Sequence, residues 1–298
     1  MAASGYKYTD VVVEVQGRIG TIRLNRPKAL NAFTTTMMMD VITALRELNQ
    51  HPDTVFTVIT GEGRFFSSGV DVKAISARKP VQTASLAEKK VASLTDSFST
   101  KGQMLTIPSA RAALEMLRSM VDHQKVLVLA LNGPAVGGGA AWFEGVADII
   151  VAAQGAWLQV PFNALGLVPE NGSTTLFSHH IGVRRSNEFL MFGRRVTVEE
   201  LQQWGLVNFI LPNDGFHSAV HKFLEDQLEV NDGKSMMETK RLQNLPLRRE
   251  RMLAVYDSID ALAEKFLDGV STKRFLERNA QLGCMSLILE PLTLHSLD

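Results

Sequence analysis

Apolar residues along this chain fall into short runs divided by polar turns, with longer stretches at helical spacing between them. Val11 to Val15 and Ile19 to Leu24 flank Gln16-Gly17, the pattern of a β-hairpin. Asn25-Arg26-Pro27 ends it, and Asn31 is placed to cap a helix whose apolar positions run from Met37 to Leu48. His51-Pro52-Asp53 breaks that helix, and Phe56 to Thr60 then reads as a strand covered on both faces. Ala113, Leu114, Leu117 and Met120 predict a helix over Ala110–His123. Strands are expected at Val126–Leu131, Ile149–Ala153, Trp157–Phe162 and Val207–Ile210. Helices are expected at Thr174–His180, capped by Ser173 or Thr174, at Ser186–Phe192 and at Thr197–Gln203, where Thr197 and Glu200 have the spacing of a capping box. Beyond Asn213 the strand pattern fades, and Phe216–Leu228 and Arg249–Leu267 read as amphipathic helices. Strands alternating with helices predict an α/β fold with parallel crossovers.

Two glycine-rich stretches interrupt this pattern. Val126 to Ala141 reads as a buried strand, a turn at Pro134, and the start of a buried helix running through Trp142 and Phe143. A helix start leaves N–H groups free and carries partial positive charge. Gly137, Gly138 and Gly139 serve either the approach of a ligand to the backbone or close packing against a sheet. The second stretch, Gly61 to Asp71, is a loop at the carboxyl end of a strand, where sites lie in open α/β sheets. It lacks the Gly-Lys-Ser/Thr ending of a phosphate-binding loop. Ala74 to Pro108 is a polar excursion, either an entrance lid or a plain loop. A turn at Leu165–Ser173 carries one acid, Glu170.

The 298 residues are 45% hydrophobic, enough for one substantial core. With 31 basic and 31 acidic residues the formal net charge is zero, which argues against a general nucleic-acid binder. The basic stretch Met236–Arg251 fits a phosphorylated ligand or a solvated face. No apolar run is long enough for a membrane span. Cys284 is the single cysteine, so neither an intrachain disulfide nor a cysteine zinc cluster is expected. His179 and His180 are adjacent and do not form a metal-ligating helical pair. Met1–Asp10 has no apolar signal core, and Ser296-Leu297-Asp298 differs from the Ser-Lys-Leu peroxisomal address.

Three motifs together resemble the crotonase, or enoyl-CoA hydratase/isomerase, superfamily. They are Asn25-Arg26-Pro27 with Leu30-Asn31-Ala32, Phe66-Ser67-Ser68-Gly69-Val70-Asp71, and Asn132-Gly133-Pro134-Ala135-Val136-Gly137-Gly138. The resemblance implies a core of repeated ββα units over residues 1–210 and a helical trimerisation region over 211–298, giving trimers or pairs of trimers. It implies an acyl-CoA thioester substrate, with coenzyme A part of the substrate and no separate cofactor or metal. It places the backbone N–H groups of Val70 and Gly138 in an oxyanion hole. It points to Arg64, Phe66, Ser68, Gly69, Asp71, Lys73, Gly137 and Leu167 as acyl-CoA-binding positions, with Asp71 structural rather than proton-transferring.

The two glutamates of hydratases match Ala141 and Phe162 here, neither of which moves a proton. Glu170 instead matches the catalytic glutamate of the Δ3,Δ2-enoyl-CoA isomerase branch, particularly its fungal peroxisomal members. The expectation is transfer of a proton from C2 to C4 of a 3-enoyl thioester by one carboxylate, with Asn171 orienting it or forming the turn. The alternatives are another crotonase-type reaction, such as hydration, or a non-catalytic acyl-CoA-binding scaffold. A peroxisomal placement follows from the resemblance alone; without it, the cytoplasm is expected.

Overall fold

In the computed structural model, residues 6–71 and 110–267, with 270, 271, 273, 274 and 277, are described here. Strands β1 (Val11–Gln16) and β2 (Ile19–Leu24) form the expected antiparallel hairpin, with Val11 opposite Leu24. Strands β3 (Phe56–Gly61), β4 (Val126–Leu131), β6 (Ile149–Ala153) and β9 (Phe209–Leu211) continue the sheet in parallel, in the order β1-β2-β3-β4-β6-β9. A second sheet pairs β5 (Ala135–Val136) with β7 (Trp157–Gln159) and β8 (Val196–Thr197).

Alternation along the strands sorts side chains to two cores. Ile22, Leu24, Ile59, Leu127, Leu129, Leu131 and Ile150 point to one, shared with helices α1 (Thr35–Gln50) and α2 (Ala110–Val121). Ile19, Phe56, Val58, Val126, Val128 and Val151 point to the other. That second face is covered by Phe216, Val220 and Leu224, four residues apart along α6 (Phe216–Val230). Burial of each such side chain contributes roughly 1.5–3 kcal/mol. Coverage on both faces is why the strands read as continuous apolar runs.

The remaining helices are α3 (Ser173–Ile181), α4 (Val183–Phe192), α5 (Val198–Gln203), α7 (Gly233–Asn244) and α8 (Arg248–Leu267). Helix α8 packs on α2 and α3, so this part of the helical tail closes over the core. Helix α7 was not expected from its polar composition; it is capped by Asp232, which accepts a hydrogen bond from Ser235 N. The basic stretch that overlaps it divides between the interior, which takes Lys240 and Arg251, and the surface, where Arg241 and Arg248 form exposed pairs. Lys240 is buried against Asp148 and the carbonyl of Lys125, Arg251 donates to Asn244, Arg241 pairs with Glu238, and Arg248 pairs with Asp122.

Several expected ends differ. Helix α1 is capped by Thr34, whose hydroxyl accepts from Met37 N, and not by Asn31. Helix α3 starts after Gly172 at φ 72°, with no side-chain cap from Ser173 or Thr174. Thr197 does cap α5, but Glu200 turns outward to Arg194, so only half of the box forms. No α-helix follows the glycines. Gly137–Ala140 make a single 3-10 turn, because glycine is a poor helix former and the next two side chains, Trp142 and Phe143, are drawn into aromatic packing with Phe33. No helix among the described residues is long and apolar enough to cross a membrane.

Candidate active site

The loop after β3 is fixed by buried asparagines. Asn132 Oδ1 accepts from Gly61 N at 2.9 Å, and its amide donates to Gly63 O at 2.8 Å. Asn31, fully buried with φ 52°, donates to the carbonyls of Glu62 and Phe65 and accepts from Arg26 N, all at 2.9 Å. Its side chain is thus spent on the loop, which is why it does not cap α1. The loop then runs beside the glycine stretch: Phe66 N donates to Pro134 O and Val136 N to Ser67 O. Gly69, at φ 88°, lies so close to that stretch that a Cβ there would be 2.7 Å from Val136 O.

This brings Val70 and Gly138 together. Phe33 N donates to Gly69 O and Asp71 N donates to Phe33 O, so the backbone on both sides of Val70 is held. Among the described residues, neither Val70 N nor Gly138 N donates to a protein acceptor. Two fixed N–H groups on adjoining loops suit an oxygen that gains negative charge.

Glu170 approaches from the third loop, ahead of α3. It is half-buried, and its carboxylate Oε2 accepts from Trp142 Nε1 at 3.0 Å. Its surroundings are dense enough that desolvation dominates and pushes the carboxyl up to about 7, against the indole hydrogen bond, which pulls it down. Trp142 is one residue past Ala141 and was not anticipated as a partner; a lone tryptophan in an apolar stretch reads as core. Asn171 does not orient the carboxylate: it sits at φ 54° with both side-chain polar atoms buried and without a partner among the described residues, and it forms the turn. Ala141 and Phe162 are buried apolar positions.

The other expected binding residues divide. Ser68 is half-buried on the loop, while Gly137 adopts φ 58° at the turn beside Gly138. Arg64 is exposed, its guanidinium 5.6 Å from the Phe65 ring centroid. Phe66 is fully buried, edge-on to Phe143, and supports the loop from beneath. Leu167 is buried with the main core. Asp71 pairs with Arg26 at 3.3 Å, a structural use of that acid. Lys73 and the Ala74–Pro108 segment lie outside the described residues.

A second acid pushed above the ordinary carboxylate range went unread in the sequence. Glu144 is 1% exposed; Oε2 accepts from Phe143 N at 3.3 Å and Oε1 has no partner among the described residues. Burial pushes its carboxyl up to about 8, so the neutral acid is the form the fold favours at pH 7. The folded state therefore holds a proton that the unfolded chain releases above the ordinary glutamate value of 4.5. Stability contributed by this group is present at low pH and declines as pH rises toward 8, at about 1.4 kcal/mol per pH unit. Glu144→Gln is expected to flatten that decline: its melting temperature should fall less than the parent's between pH 5.5 and 8. Parallel melting curves for the two proteins across this range would refute the assignment.

Residues 14–107 and 108–278 match the enoyl-CoA hydratase/isomerase family. A Delta(3,5)-Delta(2,4)-dienoyl-CoA isomerase of Pyricularia oryzae is 31% identical over 279 residues, covering 89% of this chain and 94% of that protein. Enoyl-CoA delta isomerase 2 of Rattus norvegicus is 32% identical over 212 residues, covering 70% of this chain but only 48% of the rat protein. An enoyl-CoA hydratase/isomerase structure from Pseudoalteromonas atlantica superposes with a TM-score of 0.74 at 21% identity, covering 91% and 98% of the two chains. Another, from Mycobacterium paratuberculosis, gives 0.71 at 25% identity over 90% and 98%. The fold is the crotonase fold, and the chain belongs to the enoyl-CoA hydratase/isomerase family. It is an enzyme of that family, with isomerases and hydratases both among its relatives.

Proposed function

We propose that this enzyme converts 3-enoyl-CoA, cis or trans, to trans-2-enoyl-CoA. The observation that carries this reading is Glu170, a half-buried carboxylate with a pKa near 7, tied through Trp142 to the loop bearing Gly138. The thioester carbonyl and the 3,4 double bond both acidify the C2 proton. Glu170 takes that proton, and the electron pair moves onto the thioester oxygen as a dienolate. The N–H groups of Val70 and Gly138 hold the oxygen. Glu170 returns the proton to C4, the double bond moves into conjugation, and the enzyme is restored. A base whose pKa lies near working pH suits both transfers. The apolar Ala141 and Phe162 supply no acid for activating water, which supports isomerisation over hydration.

A second reading, migration of double bonds in a 3,5-dienoyl-CoA, draws on the Pyricularia relative, matched over 94% of its length. The first reading also carries an acyl-CoA contact through Arg64, Ser68 and Lys73, assembly as a trimer or pair of trimers through residues 211–298, and a peroxisomal site of action.

The test offers purified enzyme 3-hexenoyl-CoA, 3,5-octadienoyl-CoA and crotonyl-CoA. Growth of the conjugated enoyl-thioester band from the first is the expected result. Growth of the dienoyl band alone favours the second reading. Loss of the crotonyl band alone identifies a hydratase, and binding of all three without change identifies a scaffold.

A further inference from the structure

Trp142 stands between the two halves of the proposed site. Its indole N–H donates to Glu170 Oε2 at 3.0 Å, and its backbone N–H donates to Gly138 O at 3.1 Å. The six-membered side of the indole lies against Gly138: a Cβ on that glycine would be 2.7 Å from Cε2 and Cζ2. The ring also packs on Phe33, with centroids 4.9 Å apart, and Phe33 is the residue whose backbone brackets Val70. Trp142 is itself 3% exposed. One buried side chain therefore touches the base, one N–H donor directly, and the other through Phe33.

We propose that Trp142 is a positioning residue that sets both the place and the protonation of Glu170 relative to the thioester oxygen. This rests on the reading of Glu170 as the base. The indole N–H occupies Oε2, which leaves Oε1 as the oxygen that accepts the C2 proton and returns it to C4. A hydrogen bond to an ionised carboxylate is stronger than one to a neutral acid, so the indole favours the ionised base. Desolvation acts the opposite way and is the larger of the two effects. The poise of the base is thus a balance between its apolar surroundings and one N–H. The ring fixes the distance over which that balance operates, because it is packed against the glycine that offers an oxyanion donor.

Trp142→Phe keeps an aromatic ring against Gly138 and Phe33 and removes the N–H. The expected result is a kcat/KM profile whose acid limb moves up by about one pH unit, with activity at pH 7 reduced about fivefold and largely recovered at higher pH. KM should change little, since the indole N–H meets the base and not the substrate. A uniform loss at every pH, with the limb unmoved, would reduce Trp142 to packing and overturn the proposal. A second readout does not depend on turnover. The near-ultraviolet difference spectrum of the parent should titrate with a midpoint near 7 and lose that transition in both Trp142→Phe and Glu170→Gln. A parent whose spectrum shows no such transition overturns the pairing. A transition that behaves as expected, in an enzyme that turns over no 3-enoyl-CoA, upholds the pairing and defeats the isomerase reading alone.

Discussion

Glu170→Gln is expected to lower kcat for 3-enoyl-CoA isomerisation by about a thousandfold or more, at nearly unchanged KM. Glutamine keeps the shape of the side chain and an oxygen that accepts the Trp142 indole N–H. It has no basic oxygen to take the C2 proton, and in a mechanism with one base the same loss blocks the return to C4. Substrate binding depends on other contacts, so the loss falls on kcat. Stability should move the opposite way. Burial pushes the folded carboxyl up to about 7, above the ordinary glutamate value of 4.5. The ionised group therefore weakens the fold progressively as pH rises from 4.5 toward 7, and the amide removes that dependence. At pH 8 the variant should melt no lower than the parent while being nearly inactive. Steady-state kinetics with thermal melts at pH 5.5 and 8 check both parts. Substantial residual turnover would show that Glu170 is not the base.

Gly138→Ala should cost about a hundredfold to a thousandfold in kcat, although it adds one methyl group. The new Cβ would lie 2.7 Å from the indole of Trp142. That ring has nowhere easy to go: Phe33 packs on it and Glu170 holds its N–H. Either the backbone of residue 138 turns its N–H away from the thioester oxygen or the indole moves and takes the carboxylate with it. Both outcomes damage the transition state more than the ground state, so kcat should fall and KM should not. An alanine variant with more than half of the parent kcat would place the oxyanion donor elsewhere.

Much of the scaffold was legible in the chain. The apolar runs located β4 and β6 because strands buried on both faces are apolar at every position. The site loops were legible for a different reason. Gly69 and Gly138 sit where no side chain fits, and a residue type forced by sterics leaves a mark that needs no tertiary information. Glu170 stood out as the acid in its turn. What failed was local structure at places governed by distant partners. Asn31 looked like a helix cap because asparagine often is one. It is instead drawn into the loop at Glu62 and Phe65, a choice only the folded chain presents. The helix expected after Gly138 is lost because Phe33 and Phe66 capture the aromatics that would have extended it.

The sequence by itself determined the α/β class, the hairpin, the paired glycine loops and the presence of one acid in the turn before α3. These follow from periodicity, backbone sterics and residue chemistry, each read within a short window of chain. Tertiary structure decided which groups meet: the bracketing of Val70 by Phe33, the orphaned Glu144, and the indole of Trp142 between Gly138 and Glu170. It also decided the protonation of the acids, since desolvation depends on what the whole fold packs around a carboxyl group and not on its neighbours in the chain.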